Sequence, residues 1–200
     1  MTKTIKNNQM KIYLTAFFSI LISSLFAQNS EKVCGIFITG NDFMEGKLTF
    51  PVIDKRIKTK IRLNDFFMKP YITVRQNDSS FTLFKRNIYG YKKCNGEVFR
   101  FKNKKELLLL NAGEPISIYK SLNTKIHDGA RINVTNYYFS LGSLDSLKSL
   151  TIKNLIEAFP DNKTFQSLID KNFKYNTELG WFDNIHNIYK ISWFLKQSVL

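Results

Sequence analysis

Between Val33 and Gly142 the apolar residues fall in short runs, many alternating with polar neighbours and rich in Ile, Val, Phe, Tyr and Thr. That is the pattern of half-buried strands. Strands are expected near "VCGIFIT", "KLTFPV", "KIRLNDF", "YITVRQ", "SFTLFKR", "IYGYKK", "EVFRFK", "ELLLLN", "ISIYKS" and "INVTNYYFS". A run begins about every ten residues, which favours an antiparallel meander of about eight to ten short strands over parallel strands joined by helices. The expected body is a curled sheet, a barrel or a sandwich. Turn signals stand between the runs: Gly46, Asn77-Asp78-Ser79-Ser80, Asn95-Gly96 and Asn111-Ala112-Gly113-Glu114-Pro115. None is long enough to be a linker.

From Leu144 onward the period becomes helical. Ile152, Leu155, Ile156 and Phe159 share one face, then Phe165, Leu168, Ile169 and Phe173 share another. Pro160 ends the first of these helices. A third is expected from Thr177 to Gln197, capped by Asn176, with Trp181, Ile185, Ile188 and Leu195 as its apolar stripe. The chain therefore reads as α+β: a β-rich body over 33–142, then a three-helix segment over 144–200.

The first residues carry a different pattern. Lys3, Lys6 and Lys11 precede the apolar run Ile12 to Ala27, and a small residue closes that run before Gln28. This order of basic, apolar and small residues predicts a secretory signal peptide over 1–27, cleaved to leave one mature domain over 28–200. A membrane span needs about 20 apolar residues, and this run is shorter and interrupted by Thr15, Ser19, Ser23 and Ser24. Cys34 follows the charged pair Glu31 and Lys32 instead of closing the apolar run, unlike a lipoprotein cysteine. The chain is expected in the periplasm, the cell envelope or the medium.

Export changes how charge and cysteine are read. The chain has 30 Lys and Arg against 16 Asp and Glu, and the leader removes three lysines and no acid. So basic a mature protein favours polyanions: an anionic lipid surface, acidic glycan or nucleic acid. Another envelope protein is a further partner class. Lysines that merely solvate the surface are the plainer reading, since no five-residue basic block appears. The two cysteines, Cys34 and Cys94, form an even count in an exported chain, which predicts one disulfide; two free thiols are the alternative.

The clearest local signal is "IYGYKKCNGEVFRF", residues 88–101. Asn95-Gly96 between strand-like runs predicts a two-residue type I′ turn. That register sets Lys92 opposite Phe99, Tyr91 opposite Arg100, Gly90 opposite Phe101 and Tyr89 opposite Lys102. Tyr89, Tyr91, Val98, Arg100 and Lys102 then share a wet face, and Phe99 and Phe101 the core face, with Gly90 leaving room for an aromatic ring. Tyrosine paired with a cation across strands contributes about 0.5 to 1 kcal/mol, so stability alone accounts for that face. The same face suits stacking of sugars or bases beside an anion. It lacks the aromatic-glycine signature of a nucleic-acid module. Tyr89, Tyr91, Arg100 and Lys102 are accordingly the candidate binding residues.

Catalytic patterns are absent from the sequence. His127 and His186 have no His or Cys at zinc-binding spacing, and neither a G-x-S-x-G elbow nor a phosphate-cradling glycine loop occurs. "HDGA", residues 127–130, reads as a polar turn. Asp183 and His186 are spaced to hydrogen-bond, with no nucleophile beside them. No metal, cofactor or catalytic residue is assigned.

Three stretches, "GIFITGNDFMEGKLTF" (35–50), "NIYGYKKCNGEVFRF" (87–101) and "LTIKNLIEAFPDNKTFQSLIDKNFK" continuing to "DNIHNIYKI" (150–191), resemble a group of small exported proteins of unknown function from Bacteroidetes bacteria. The resemblance implies an envelope or secreted protein with a β-rich body and a helical end, and carries no active residues. Two functional classes follow. One is a non-catalytic binding or structural protein of the envelope. The other is an envelope hydrolase, which needs groups such as Asp42, Asp65, His127 or His186 to converge in one cleft.

Overall fold

The α+β expectation is met in the computed structural model, which describes residues 33–52, 59–64, 69–127 and 130–199. Eight strands form one open antiparallel sheet in the order β11-β10-β9-β8-β7-β6-β1-β2, so the body is not closed into a barrel. Its central strands are β1 (Cys34–Phe37), β6 (Gly90–Lys92), β7 (Val98–Lys102) and β8 (Lys105–Leu109). The long hairpin β9 (Ser117–His127) and β10 (Ala130–Ser140) extends it on one side, where β11 (Lys148–Ser149) closes the edge, and β2 (Thr49–Val52) lies at the other edge. A second sheet of three strands holds β3 (Thr59–Arg62), β4 (Tyr71–Gln76) and β5 (Ser79–Phe84).

The registers show which face is the core. Ile36, Tyr91, Phe99, Leu108, Lys120 and Tyr137 lie side by side across the large sheet, each paired with the next, and so project from the same face. Two layers cover that face. At the β1 end, Ile36, Tyr91 and Phe101 pack with Ile72 and Val74 of the small sheet. At the β10 end, Ile118 and Phe139 pack with Leu155, Phe165, Ile169, Ile191 and Leu195 from the helices. Each such fully buried side chain contributes about 1.5 to 3 kcal/mol.

Three α-helices supply the second cover: α2 (Ile152–Ala158), α3 (Lys163–Asn172) and α4 (Lys190–Gln197). Thr151 caps α2 by accepting the Asn154 N–H, Asn162 caps α3 by accepting the Phe165 N–H, and α2 stops two residues before Pro160. Buried Asn111 ties the β8–β9 connection to α4: its amide donates to Ile116 O in the loop and to Ser192 Oγ on the helix, and its Oδ1 accepts the Ile118 N–H at the start of β9.

Two expectations need correction. The third helix does not start at Thr177; its first half is a 3-10 turn (Asn176–Gly180) and a small hairpin of β12 (Phe182–Asp183) and β13 (Ile188–Tyr189). Asp183 draws in the Ile185 and His186 N–H groups, Asn187 adopts a positive φ of 53°, and Ile185 points to solvent at 90 % exposure. The short helix α1 (Gly40–Met44), inside a stretch expected to carry only strands, is set by a capping box between Thr39 and Asp42. Among the described residues the body over 33–142 holds ten strands, β1 to β10, as expected, and three two-residue strands, β11 to β13, follow it.

Candidate functional site

The hairpin at 88–101 exists, with a turn that differs from the expected one. Lys93 N–H bonds Glu97 O at 2.8 Å and Gly96 N–H bonds Lys93 O at 2.9 Å, with Gly96 at φ 94° and Asn95 outside the positive-φ region. The loop therefore has three residues, Cys94 to Gly96, with the left-handed glycine last. Asn95 Oδ1 accepts the Glu97 N–H at 3.1 Å, and Cys94 is bonded to Cys34 with Cα atoms 4.6 Å apart. Both contacts favour Cys94 as a loop residue.

One extra loop residue slips the register by one: Tyr91 faces Phe99 and Gly90 faces Arg100. A slip of one moves a side chain to the other face. Tyr91 therefore leaves the expected wet face. It is 4 % exposed, stacks on Phe99 and donates its hydroxyl to Glu106 Oε2 at 2.7 Å. Phe101 is buried as expected. Gly90 accommodates backbone instead of a ring, since a Cβ there would collide with the Phe99 carbonyl.

Arg100, Lys102 and Tyr89 do gather on the opposite face, where they bracket the 141–147 connection. Arg100 Nη2 donates to Asp145 O at 2.7 Å, and its guanidinium lies 4.8 Å from the centre of the Tyr89 ring. Lys102 Nζ donates to Leu147 O at 3.2 Å and sits over Tyr138. Tyr89 stacks on Phe43 of α1, and burial first, then the neighbouring Tyr119, pushes its phenol pKa up. These contacts give Arg100 and Tyr89 a structural role.

The free positive charge lies one turn further on. β7 and β8 are joined by Asn103, at φ 59°, and Lys104, with Lys102 paired to Lys105. Asparagine tolerates this conformation better than most residues. Burial first, and the Lys105 charge second, lower the Lys102 pKa. Beside the turn, a cavity of about 240 Å³ is lined by Pro70, Phe84, Arg86, Asn103 and Lys104. Phe84 is 45 % exposed, with the Arg86 guanidinium 5.6 Å from its ring centre.

What leaves this cluster positive is the orientation of Glu106. The acid that follows Lys104 and Lys105 turns inward, where Lys85 Nζ, 2 % exposed, lies 3.0 Å from its Oε1 and Tyr91 holds its Oε2. Lys85 goes in with it, and Arg86 stays out. Among the described residues Arg86, Lys104 and Lys105 have no acidic partner. The sequence reading missed this site because its two halves, Lys85-Arg86 and "KNKK" at 102–105, lie apart in the chain and neither is a basic block.

The other candidate acids and histidines stay apart. Asp42 accepts the Thr39 N–H at 2.9 Å, and its bonds to Thr39 lower its pKa. His186 Nδ1 lies 2.9 Å from Asp183 Oδ2, its ring stacks on Trp193 at 4.0 Å, and the side-chain bond from His186 holds the Asp183 pKa down. Asp65, the His127 side chain, Asp128 and Gly129 of the expected polar turn, and the expected signal peptide lie outside the described residues. Among the described residues no three His, Cys, Asp or Glu side chains form a metal-binding group, and no helix is long and apolar enough to cross a membrane.

No family model, curated protein or solved structure matches the chain.

Proposed function

We propose that this chain is an exported, non-catalytic binding protein of the cell envelope or its surroundings, and that its cationic turn cluster holds a polyanionic partner. One observation carries the reading: Arg86 and Lys104 line one cavity without an acidic partner among the described residues, with Lys105 next to Lys104 in the chain, while Glu106, the acid that follows, is turned inward to Lys85. Like charges held together without an acid repel one another, and an anion relieves that repulsion. The basic balance of the whole chain supports the same direction.

The experiment compares wild type with the Lys104→Glu/Lys105→Glu variant on an acidic polysaccharide column eluted with salt. The variant is expected to elute at clearly lower salt, because exposed charge contacts are screened within about 10 Å at 0.1 M. Equal elution of the two proteins overturns the site. Export is tested by intact mass of protein from the host envelope or medium: a chain beginning at Gln28 supports it, and a retained Met1 overturns it.

A further inference from the structure

We propose that the cavity between Phe84, Arg86 and Lys104 binds one acidic sugar unit, its ring against Phe84 and its carboxylate or sulfate between the two cations. This rests on the reading above that the cationic turn cluster holds a polyanion, and names the class of polyanion.

The cavity has features that charge alone does not need. Phe84 closes β5 with nearly half its surface in solvent, beside Arg86 and Lys104. An exposed aromatic ring adds nothing to the capture of a bare phosphate chain. It does suit a ligand with an apolar face and a charged edge, and an acidic pyranose has both. The cavity's 240 Å³ lies below the roughly 300 Å³ where pockets for drug-sized ligands begin, so it takes one ring with the rest of the chain in solvent.

Geometry separates this ligand from an anionic lipid surface. The site is concave, and a flat bilayer cannot reach its floor. A nucleobase would need the same Phe84 ring that the sugar uses, so the two ligands are separated by titration with an oligothymidylate. Asn103 lines the same cavity and brings an amide that can donate to and accept from sugar hydroxyls. The walls are held in place: Lys85 N–H bonds Pro70 O at 2.8 Å, which fixes the start of β4 to the 3-10 turn that carries Arg86.

The test is isothermal titration of the full mature chain with tetragalacturonate, a heparin-derived tetrasaccharide, inorganic polyphosphate and an oligothymidylate. Phe84→Ser is expected to weaken saccharide binding about tenfold, the size of one stacking contact, and to leave polyphosphate binding unchanged. Lys104→Gln should weaken every anion. Phe84→Leu serves as a second probe if Phe84→Ser does not fold, and should lower saccharide affinity while leaving polyphosphate affinity unchanged. If the Phe84 variants treat saccharide and polyphosphate alike, the sugar subsite is wrong while the charge cluster stands. If oligothymidylate binds more tightly than the saccharides and depends on Phe84, the ligand is a nucleic acid. If no anion binds wild type, the reading beneath the proposal fails as well.

Discussion

Tyr91 lies flat on Phe99, ring centres 4.9 Å apart and planes inclined by 6°. The pair shows that both aromatics face the core and that Arg100, next along the strand, faces away. Tyr91→Ala should therefore destabilise the protein by about 3 to 5 kcal/mol, and Phe101→Ala by a similar amount. Tyr91→Phe keeps the stack and removes the bond to Glu106, at a cost of about 1 to 3 kcal/mol. Denaturant titration of the three variants measures this. A Tyr91→Ala variant as stable as wild type would place the ring in solvent and restore the two-residue turn.

How far the sequence could be read follows from such details. Period-two runs located the strands well, because each pairs locally with a neighbour and buries one face. The face assignment in the 88–101 hairpin failed on a single loop residue, since Asn95-Gly96 serves a two-residue and a three-residue loop equally well. The third helix failed for a related reason: Trp181, Ile185 and Ile188 match a helical stripe, but the Asp183 turn and the positive φ of Asn187 divert the chain. The cationic cluster was unreadable because its sign depends on where Glu106 points, and that is set by packing against Lys85 and Tyr91, which are distant from it in the chain.

Gly180 distinguishes the observed 3-10 turn from a continuous helix by the sign of its effect. In an exposed helix interior Gly180→Ala would stabilise the chain by about 1 kcal/mol. Here a Cβ would press into the Tyr137 ring, and overpacking of that kind costs about 1 to 3 kcal/mol. A lower denaturation midpoint for Gly180→Ala is the expected result. A higher midpoint would mean that residues 177–189 are helical.

Cys34 and Cys94, 60 residues apart, join β1 to the hairpin loop. The chain-entropy model gives roughly 4 kcal/mol for a loop of that length. Protein oxidised during refolding should show no reactive thiol when denatured without reductant. Cys34→Ala/Cys94→Ala should lose about 2 to 5 kcal/mol. Two thiols per chain in the unreduced protein would remove the bond.

Lys102 and Lys105 repel each other across the turn, and burial adds to the effect on Lys102. The unfolded chain keeps the Lys102 proton up to its ordinary value of 10.5, whereas the folded chain releases it at lower pH. Between those values unfolding takes up a proton, so stability rises with pH through that window; below it the charged lysine is a constant cost. Lys105→Gln removes the smaller of the two causes. The ¹³Cε titration of Lys102 should then move part of the way back toward 10.5. No movement would mean that the two ammonium groups do not interact.

Lys85 and Glu106 form a buried ion pair whose partners are 2 % and 20 % exposed, and its energetics are asymmetric. Removing one charge deprives the other of its ion-pair partner, at a cost of up to about 3 to 5 kcal/mol for a fully buried pair, whereas replacing both with apolar side chains is often neutral or better. Lys85→Met should thus be severely destabilised, and Lys85→Met/Glu106→Leu should recover much of the loss. Recovery will be incomplete, because Tyr91 loses its acceptor in the double variant. The pair is not needed to place the cationic turn: with Lys85 and Glu106 both replaced by apolar side chains, Arg86, Lys104 and Lys105 keep their charges, and retention on acidic polysaccharide should match wild type. A folded double variant with weaker retention would show that the inward pair positions the cationic turn. If the two single losses simply add in the double variant, Lys85 and Glu106 are not coupled, and the inward turn of Glu106 has another cause.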